Sequence, residues 1–469
     1  MTAQGFAPDA RQSEFTTNAA QRVDPLLASQ LQESFHDLAA RAAPGLLTSL
    51  GCHDGDECAK RFISDFVTRA WRRPLAPQES SELLDLFRTG ATGAGFVDGV
   101  SLVIEAALQA ASFLYVTELG VDAARDGEVR LGAHETAAAL AYLLTGGPPD
   151  AVLMTEAARN GLSSGSDREA QARRLLQTEG AKHQVQRLVT EWLGMDRLAV
   201  TSKDNDVYPE FEPYRPYLVA ETNAFISEVV FNDAGTIARL LTADYTMAEA
   251  PLARYYDLPP PASPGARTNL GHGPRRGLLT HGTFQSVHAH PDSSAPVKRG
   301  VAVLERLLCT KLPSPAELSI TVAPPRPDPT RTTRARFEAH TSNPACASCH
   351  AIIDPIGFAF EAFDGMGTVR SVENGQPVVT ASELAAGGLT GHVNDAAALV
   401  DKLAASPETN PCLARNFFRF AAAETDDRLE EEYLRSVWTP LPDDRRGNIK
   451  DLFVSWVASD MFVARTVAP

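Results

Sequence analysis

Two thiols and an imidazole stand within five residues at Cys346-Ala347-Ser348-Cys349-His350. C-x-x-C-H is the attachment pattern of a c-type haem. Each thiol must reach one porphyrin vinyl group, and two intervening residues put both sulfurs on the same side of the backbone. The next side chain, His350, then reaches the iron as its proximal ligand. With six cysteines and eleven histidines among 469 residues, chance gives such a string in roughly two of a thousand chains of this composition. A zinc site or a redox dithiol is the other chemistry open to C-x-x-C. Zinc needs two further ligands, and His340 is one candidate. Thioredoxin-like chemistry needs a βαβ setting, which the flanking sequence does not supply.

The sixth iron ligand is open. Met366, in Phe363-Asp364-Gly365-Met366-Gly367, is the nearest thioether, and Met ligation would raise the potential as an electron carrier needs. Its bland reading is a methionine filling a gap at the porphyrin edge. Met461, His340 and His392 are further candidates, with Met461 also reading as core beside Trp456 and Phe462. With none of them bound, the iron is five-coordinate and open to small ligands. Arg299, in Pro296-Val297-Lys298-Arg299-Gly300, offers a planar fork for a haem propionate, or is an exposed arginine at a helix start. His281, His288 and His290 form a second cluster, readable as a metal site, as a group near the haem, or as a solvated loop.

The elements that must position these residues are mostly helices. Apolar residues recur on one face through 59–73, from Pro77 onward, and through 101–115 and 134–144. The clearest case is 181–195, where Val185, Leu188, Val189, Trp192 and Leu193 fall at i, i+3, i+4, i+7 and i+8. Helices are also expected over 217–231, 297–309 and 332–340, the last broken by Asn343-Pro344 just before the thiols. Six prolines between Leu312 and Pro329 predict a semi-rigid spacer. The expected organisation is an N-terminal helical module (1–125), a central one (126–311), the proline-rich linker (312–330), a haem attachment module (331–375) and a C-terminal helical module (376–469).

Composition fits a globular chain, with 44% apolar and 22% charged residues. The 43 basic and 59 acidic residues give a net charge of −16, which argues against a sequence-neutral nucleic-acid binder. No membrane span is expected, since Glu105 and Gln109 interrupt the most apolar stretch, 101–116. The opening MTAQGFAPDARQSEF has neither the basic start nor the apolar core of a signal peptide.

Asn343-Pro344-Ala345-Cys346 to His350, then Ile353-Asp354-Pro355-Ile356-Gly357-Phe358, Glu361, Phe363-Asp364, Gly367 and Arg370, resembles the planctomycete-type cytochrome family. These are large bacterial proteins built from modules of unknown function around one C-x-x-C-H. Arg69-Ala70-Trp71-Arg72-Arg73-Pro74-Leu75 is similar to that family's upstream module. Ser112-Phe113-Leu114-Tyr115, Glu118, Pro148-Pro149-Asp150 and Ala243-Asp244-Tyr245 are similar to its middle module. Arg276-Gly277-Leu278-Leu279 and Pro296–Gly300 are similar to its entry to the haem module.

The resemblance implies an exported, periplasmic or extracellular protein with one covalent haem c on Cys346, Cys349 and His350. It implies no known reaction. The first residues look like the interior of the family's N-terminal module, so the usual start, with its export signal, is expected to be missing here. The family's Gly-Arg after the aromatic helix is replaced by Ala421-Ala422-Ala423-Glu424. The remaining cysteines fit an oxidising compartment, with Cys52–Cys58 and Cys309–Cys412 as expected pairs, or stay as buried free thiols.

The expectation is therefore a mainly α protein of several helical modules with a C-terminal cytochrome c-like module. Its expected role is electron transfer to a redox partner protein. The alternatives are a haem-dependent peroxidase- or oxidase-like enzyme with open iron, and a scaffold protein whose haem is structural.

Overall fold

A computed structural model of the chain describes residues 6, 9–12, 14–16, 21–52, 54–93, 95–121, 127–313, 325, 328–340, 344–386 and 388–466. Most of the expected proline-rich linker lies outside these residues. Helices dominate, and the short strands form two-stranded pairs. Contacts divide the chain into two units. One comprises Met1–Arg11, Thr16–Ala181 and Phe453–Pro469; the other comprises Gln12–Phe15 and Lys182–Leu452. The sequence-based segments follow composition breaks, and this division is a separate, coarser one. Among the described residues no helix is long and apolar enough to cross a membrane.

The first unit is built on helices Pro25–Leu50, Gly55–Trp71, Pro77–Ala91 and Phe96–Gln109. Asp24 caps the first by accepting the Leu27 N–H at 2.8 Å. Their apolar stripes meet around Phe62, Ile63, Val67, Phe87, Val103 and Ile104, which removes the periodic faces from water. Buried Arg72 ties the end of this bundle, donating to the carbonyls of Ser112 (2.5 Å) and Tyr115 (2.6 Å). Cys52 and Cys58 form one of the expected disulfides.

In the second unit, helices Phe211–Ser227, Gly282–Val287, Pro296–Leu307 and Pro344–Phe358 surround the residues nominated by sequence. The expected Cys309–Cys412 disulfide links the end of helix Pro296–Leu307 to helix Thr409–Ala422. It closes a separation of 103 residues, where cross-linking restricts the unfolded chain by about 4–5 kcal/mol in the loop-entropy account. The latter helix ends at Ala423, whose φ of 51° is left-handed, a conformation that glycine takes at less cost.

The 376–469 segment is not purely helical. Strands Ser382–Ala386 and Leu389–Val393 pair antiparallel, with Leu384, Ala386, Leu389 and Val393 inward and Glu383 and His392 outward.

Candidate functional site

Helix Pro344–Phe358 carries both thiols and the imidazole. The expected break at Asn343-Pro344 is a helix start instead. Proline suits the first position, where its missing N–H has no intrahelical partner to lose and its φ is already helical. Cys346 and Cys349, at i and i+3, share one face of this helix. Both are half-buried free thiols, whereas the other four cysteines are paired.

One turn further on, the helix supplies a carboxylate. The Asp354 Oδ1 lies 2.9 Å from the His350 Nδ1 and accepts a hydrogen bond from its N–H. Asp354 is buried and His350 half-buried. Pro355 has no N–H, so the Ala351 carbonyl gets no bond from it within the helix.

A cleft of about 440 Å³ opens beside this helix. Its walls include His350, Asp354 and Phe358, with Arg334 and Glu338 from helix Thr333–His340 and Glu383 from the hairpin. Its volume falls within the roughly 300–1,000 Å³ of small-molecule and cofactor clefts. Arg334 lies over the Phe358 ring, 4.7 Å from its centroid, and donates to the Val379 and Ala381 carbonyls at 3.0 and 2.8 Å. It therefore joins three walls of the cleft. Glu383 also holds His392 at 2.8 Å, and the other ring nitrogen of His392 is 3.1 Å from Asn394 Oδ1. The Glu383 contact raises the affinity of exposed His392 for its proton.

Two glycines fix the helix in place. A Cβ on Gly357 would stand 2.0 Å from the Pro296 carbonyl oxygen, and one on Gly300 would stand 2.3 Å from that of Ile353. Helices Pro296–Leu307 and Pro344–Phe358 thus cross with backbone against backbone at Ile353 and Gly357, on either side of Asp354 in sequence.

Arg299 and Met366 are not brought to this cleft. Arg299 is fully buried and donates to the carbonyls of Gln285, Phe360, Phe363 and Asp364 at 2.6–3.3 Å. Burial lowers its pKa to about 10. It is neither an exposed helix-start residue nor a wall of the cleft; it anchors the loop after the motif helix. Met366 is also buried, packed with Leu218, Leu252 and Tyr256. Its sulfur accepts the Tyr255 hydroxyl at 3.3 Å. Asp364 makes the tight turn around it, its Oδ1 accepting the N–H groups of Met366 and Thr368 at 2.8 Å.

The histidine cluster is not a solvated loop. His281 and His288 are core residues with separate surroundings. His281 has its ring edge against Phe225 and its Nδ1 3.9 Å from Glu221. His288 donates its Nε2–H to the Leu193 carbonyl at 2.9 Å, and burial lowers its pKa to about 3. His290 is half-buried and lowered by desolvation. Met461 lies in a short 3₁₀ turn past the last helix. The side chain of His340 lies outside the described residues. Among the described residues, no group of three or more His, Cys, Asp or Glu side chains is arranged to hold a metal ion. The extra ligands a structural zinc site requires are therefore not found among them.

Sequence reasoning quoted Asp354 only as part of the family resemblance, with no role, and did not name Arg334, Glu338 or Glu383. A signal existed for Asp354: it is four residues after His350, the spacing that brings two side chains together on a helix.

Three stretches match known families. Residues 58–118 match PSD5, residues 131–258 match PSD4, and residues 275–373 match PSCyt3. Their descriptions are, respectively, protein of unknown function (DUF1595), protein of unknown function (DUF1592) and protein of unknown function (DUF1588). The chain is thus a mainly helical protein assembled from modules of unknown function, and the PSCyt3 stretch contains the motif helix. No curated protein and no solved structure matches the chain.

Proposed function

We propose that the chain is an exported c-type cytochrome that carries one haem on Cys346 and Cys349, with iron on His350, and passes electrons to a redox partner protein. The observation that carries this reading is the thiol inventory. Four cysteines pair in disulfides, and the remaining two lie one helical turn apart beside a histidine oriented by a carboxylate. Two structural disulfides suit an oxidising compartment. A C-x-x-C dithiol in that compartment remains useful as a haem anchor once both sulfurs are captured as thioethers.

The residues present fit the group. Cys346 and Cys349 would anchor it, His350 would bind iron through Nε2, and Asp354 fixes the tautomer this requires. When bound, the haem supplies a one-electron redox couple. Arg334 is the cation in the wall of the cleft; its Nη1 donates to the Val379 and Ala381 carbonyls and its Nε pairs with Glu338 at 2.8 Å.

A second reading, a haem-dependent peroxidase- or oxidase-like enzyme with open iron, is favoured by the placement of Met366. Its sulfur is committed to Tyr255 inside the core. Met366→Leu is therefore expected to leave the absorption spectrum of the reduced protein unchanged.

The test is expression with an added export signal beside haem-attachment machinery, followed by acid–acetone extraction and a pyridine haemochrome spectrum. Haem retained on the polypeptide with a thioether-type spectrum is the expected result, lost in the Cys346→Ala, Cys349→Ala double variant. Haem that extracts completely from the unmutated chain overturns the reading.

A further inference from the structure

We propose that Asp354 is a positioning residue that makes His350 an electron-rich iron ligand and sets the haem to a low reduction potential. The inference rests on the haem reading above and goes beyond it, because it assigns the direction in which the protein tunes the iron.

The geometry is specific. The Asp354 carboxylate accepts the Nδ1–H of His350 at 2.9 Å, on the same helix and one turn away. A ligand imidazole whose second nitrogen donates to a carboxylate is a stronger base at its other nitrogen. Asp354 is only 5% exposed, so its charge acts through a poorly screened medium. A donor of this kind favours ferric over ferrous iron, the opposite of the effect of a thioether ligand.

The backbone that carries the carboxylate is fixed. The Ile353 carbonyl lies against Gly300, and Gly357 lies against the Pro296 carbonyl, so the backbone on both sides of Asp354 is held by another helix. At the rim Glu338 is paired with Arg334 and Glu383 with His392, each at 2.8 Å, which leaves Asp354 as the carboxylate facing the imidazole of His350.

The experiment is redox titration of the exported holoprotein beside Asp354→Asn and Asp354→Glu, with covalent haem content measured on each. Asp354→Asn keeps the shape and removes the charge. It is expected to keep its haem, to shift the potential upward, and to lower the iron–imidazole stretching frequency of the reduced protein in resonance Raman spectra. Asp354→Glu is expected to restore both toward the unmutated values. A haem-loaded Asp354→Asn protein with unchanged potential and unchanged stretch overturns the inference while leaving the haem reading intact.

Should Asp354→Asn fail to fold, the unmutated protein decides through comparison with a haem-bearing peptide that ends at Ile353. A higher stretching frequency in the protein supports the role of Asp354, and an equal one overturns it. Absence of haem from the unmutated protein overturns the underlying reading and this inference together.

Discussion

The motif helix and the core around Arg299 and Met366 were nominated by the same reasoning, yet they hold their polar groups in opposite ways. Along Pro344–Phe358 the imidazole and its carboxylate line a cleft, and the two thiols stay unpaired and half-buried. Around Arg299 the fork is taken up by four backbone carbonyls, and the Met366 sulfur by a tyrosine hydroxyl. Residue type makes a side chain eligible for chemistry. Whether the protein's own backbone has already claimed its donors and acceptors decides whether it is site or scaffold.

The contrast is sharpest in Arg299→Met. Four carbonyls lose a donor, and buried Glu361, 3.7 Å from Arg299, keeps only Arg370 as a paired cation. Destabilisation of about 3–5 kcal/mol is expected from stranding buried polar groups, read as a lower urea midpoint. Haem retained by the folded fraction should give an unaltered spectrum. A changed spectrum at unchanged stability would place Arg299 at the haem after all.

Next in size is Gly357→Ala. The new methyl must displace the Pro296 carbonyl, and overpacking of this kind costs about 1–3 kcal/mol. Thermal unfolding should shift downward and the yield of attached haem should fall with it. An unshifted midpoint would mean that the helix crossing at Gly357 is loose.

The third test uses the buried His288. Burial takes the His288 pKa from 6.5 to about 3. Between those values the unfolded chain binds the proton and the folded chain does not. The contribution to stability is therefore full above about pH 6.5 and is lost as the pH falls toward 3. Urea midpoints should drop over that window, and the drop should be smaller in His288→Gln. Equal drops in both proteins would contradict the assignment.

The helical character was legible because periodic apolar faces such as Val185–Leu193 are long and regular, and the disulfides followed from cysteine count and compartment. The hairpin was not, although alternation flanks Gly387-Gly388, a two-residue turn signal. Its strands, Ser-Glu-Leu-Ala-Ala and Leu-Thr-Gly-His-Val, hold Thr390 and Val393 as their β-branched residues, so propensity hid the pattern. Pro344 read as a breaker because proline both ends and begins helices, and its neighbours do not distinguish the two.

The turn at Asp364 was not read from the sequence, which offered Phe363–Gly367 only as the setting of a candidate ligand, Met366. Arg299 and Arg334 both stand in the first turn of a helix. Only packing between distant segments buries one and leaves the other at the cleft. Asp354 was within reach of local spacing, and its importance appears once the helix is known to continue past His350.

The intact mass of the exported, purified protein under denaturing conditions tests the central claim most directly. The account predicts the polypeptide mass plus one haem, reverting to the bare chain when Cys346 and Cys349 are both replaced. A fully exported protein with the mass of the bare polypeptide would contradict it.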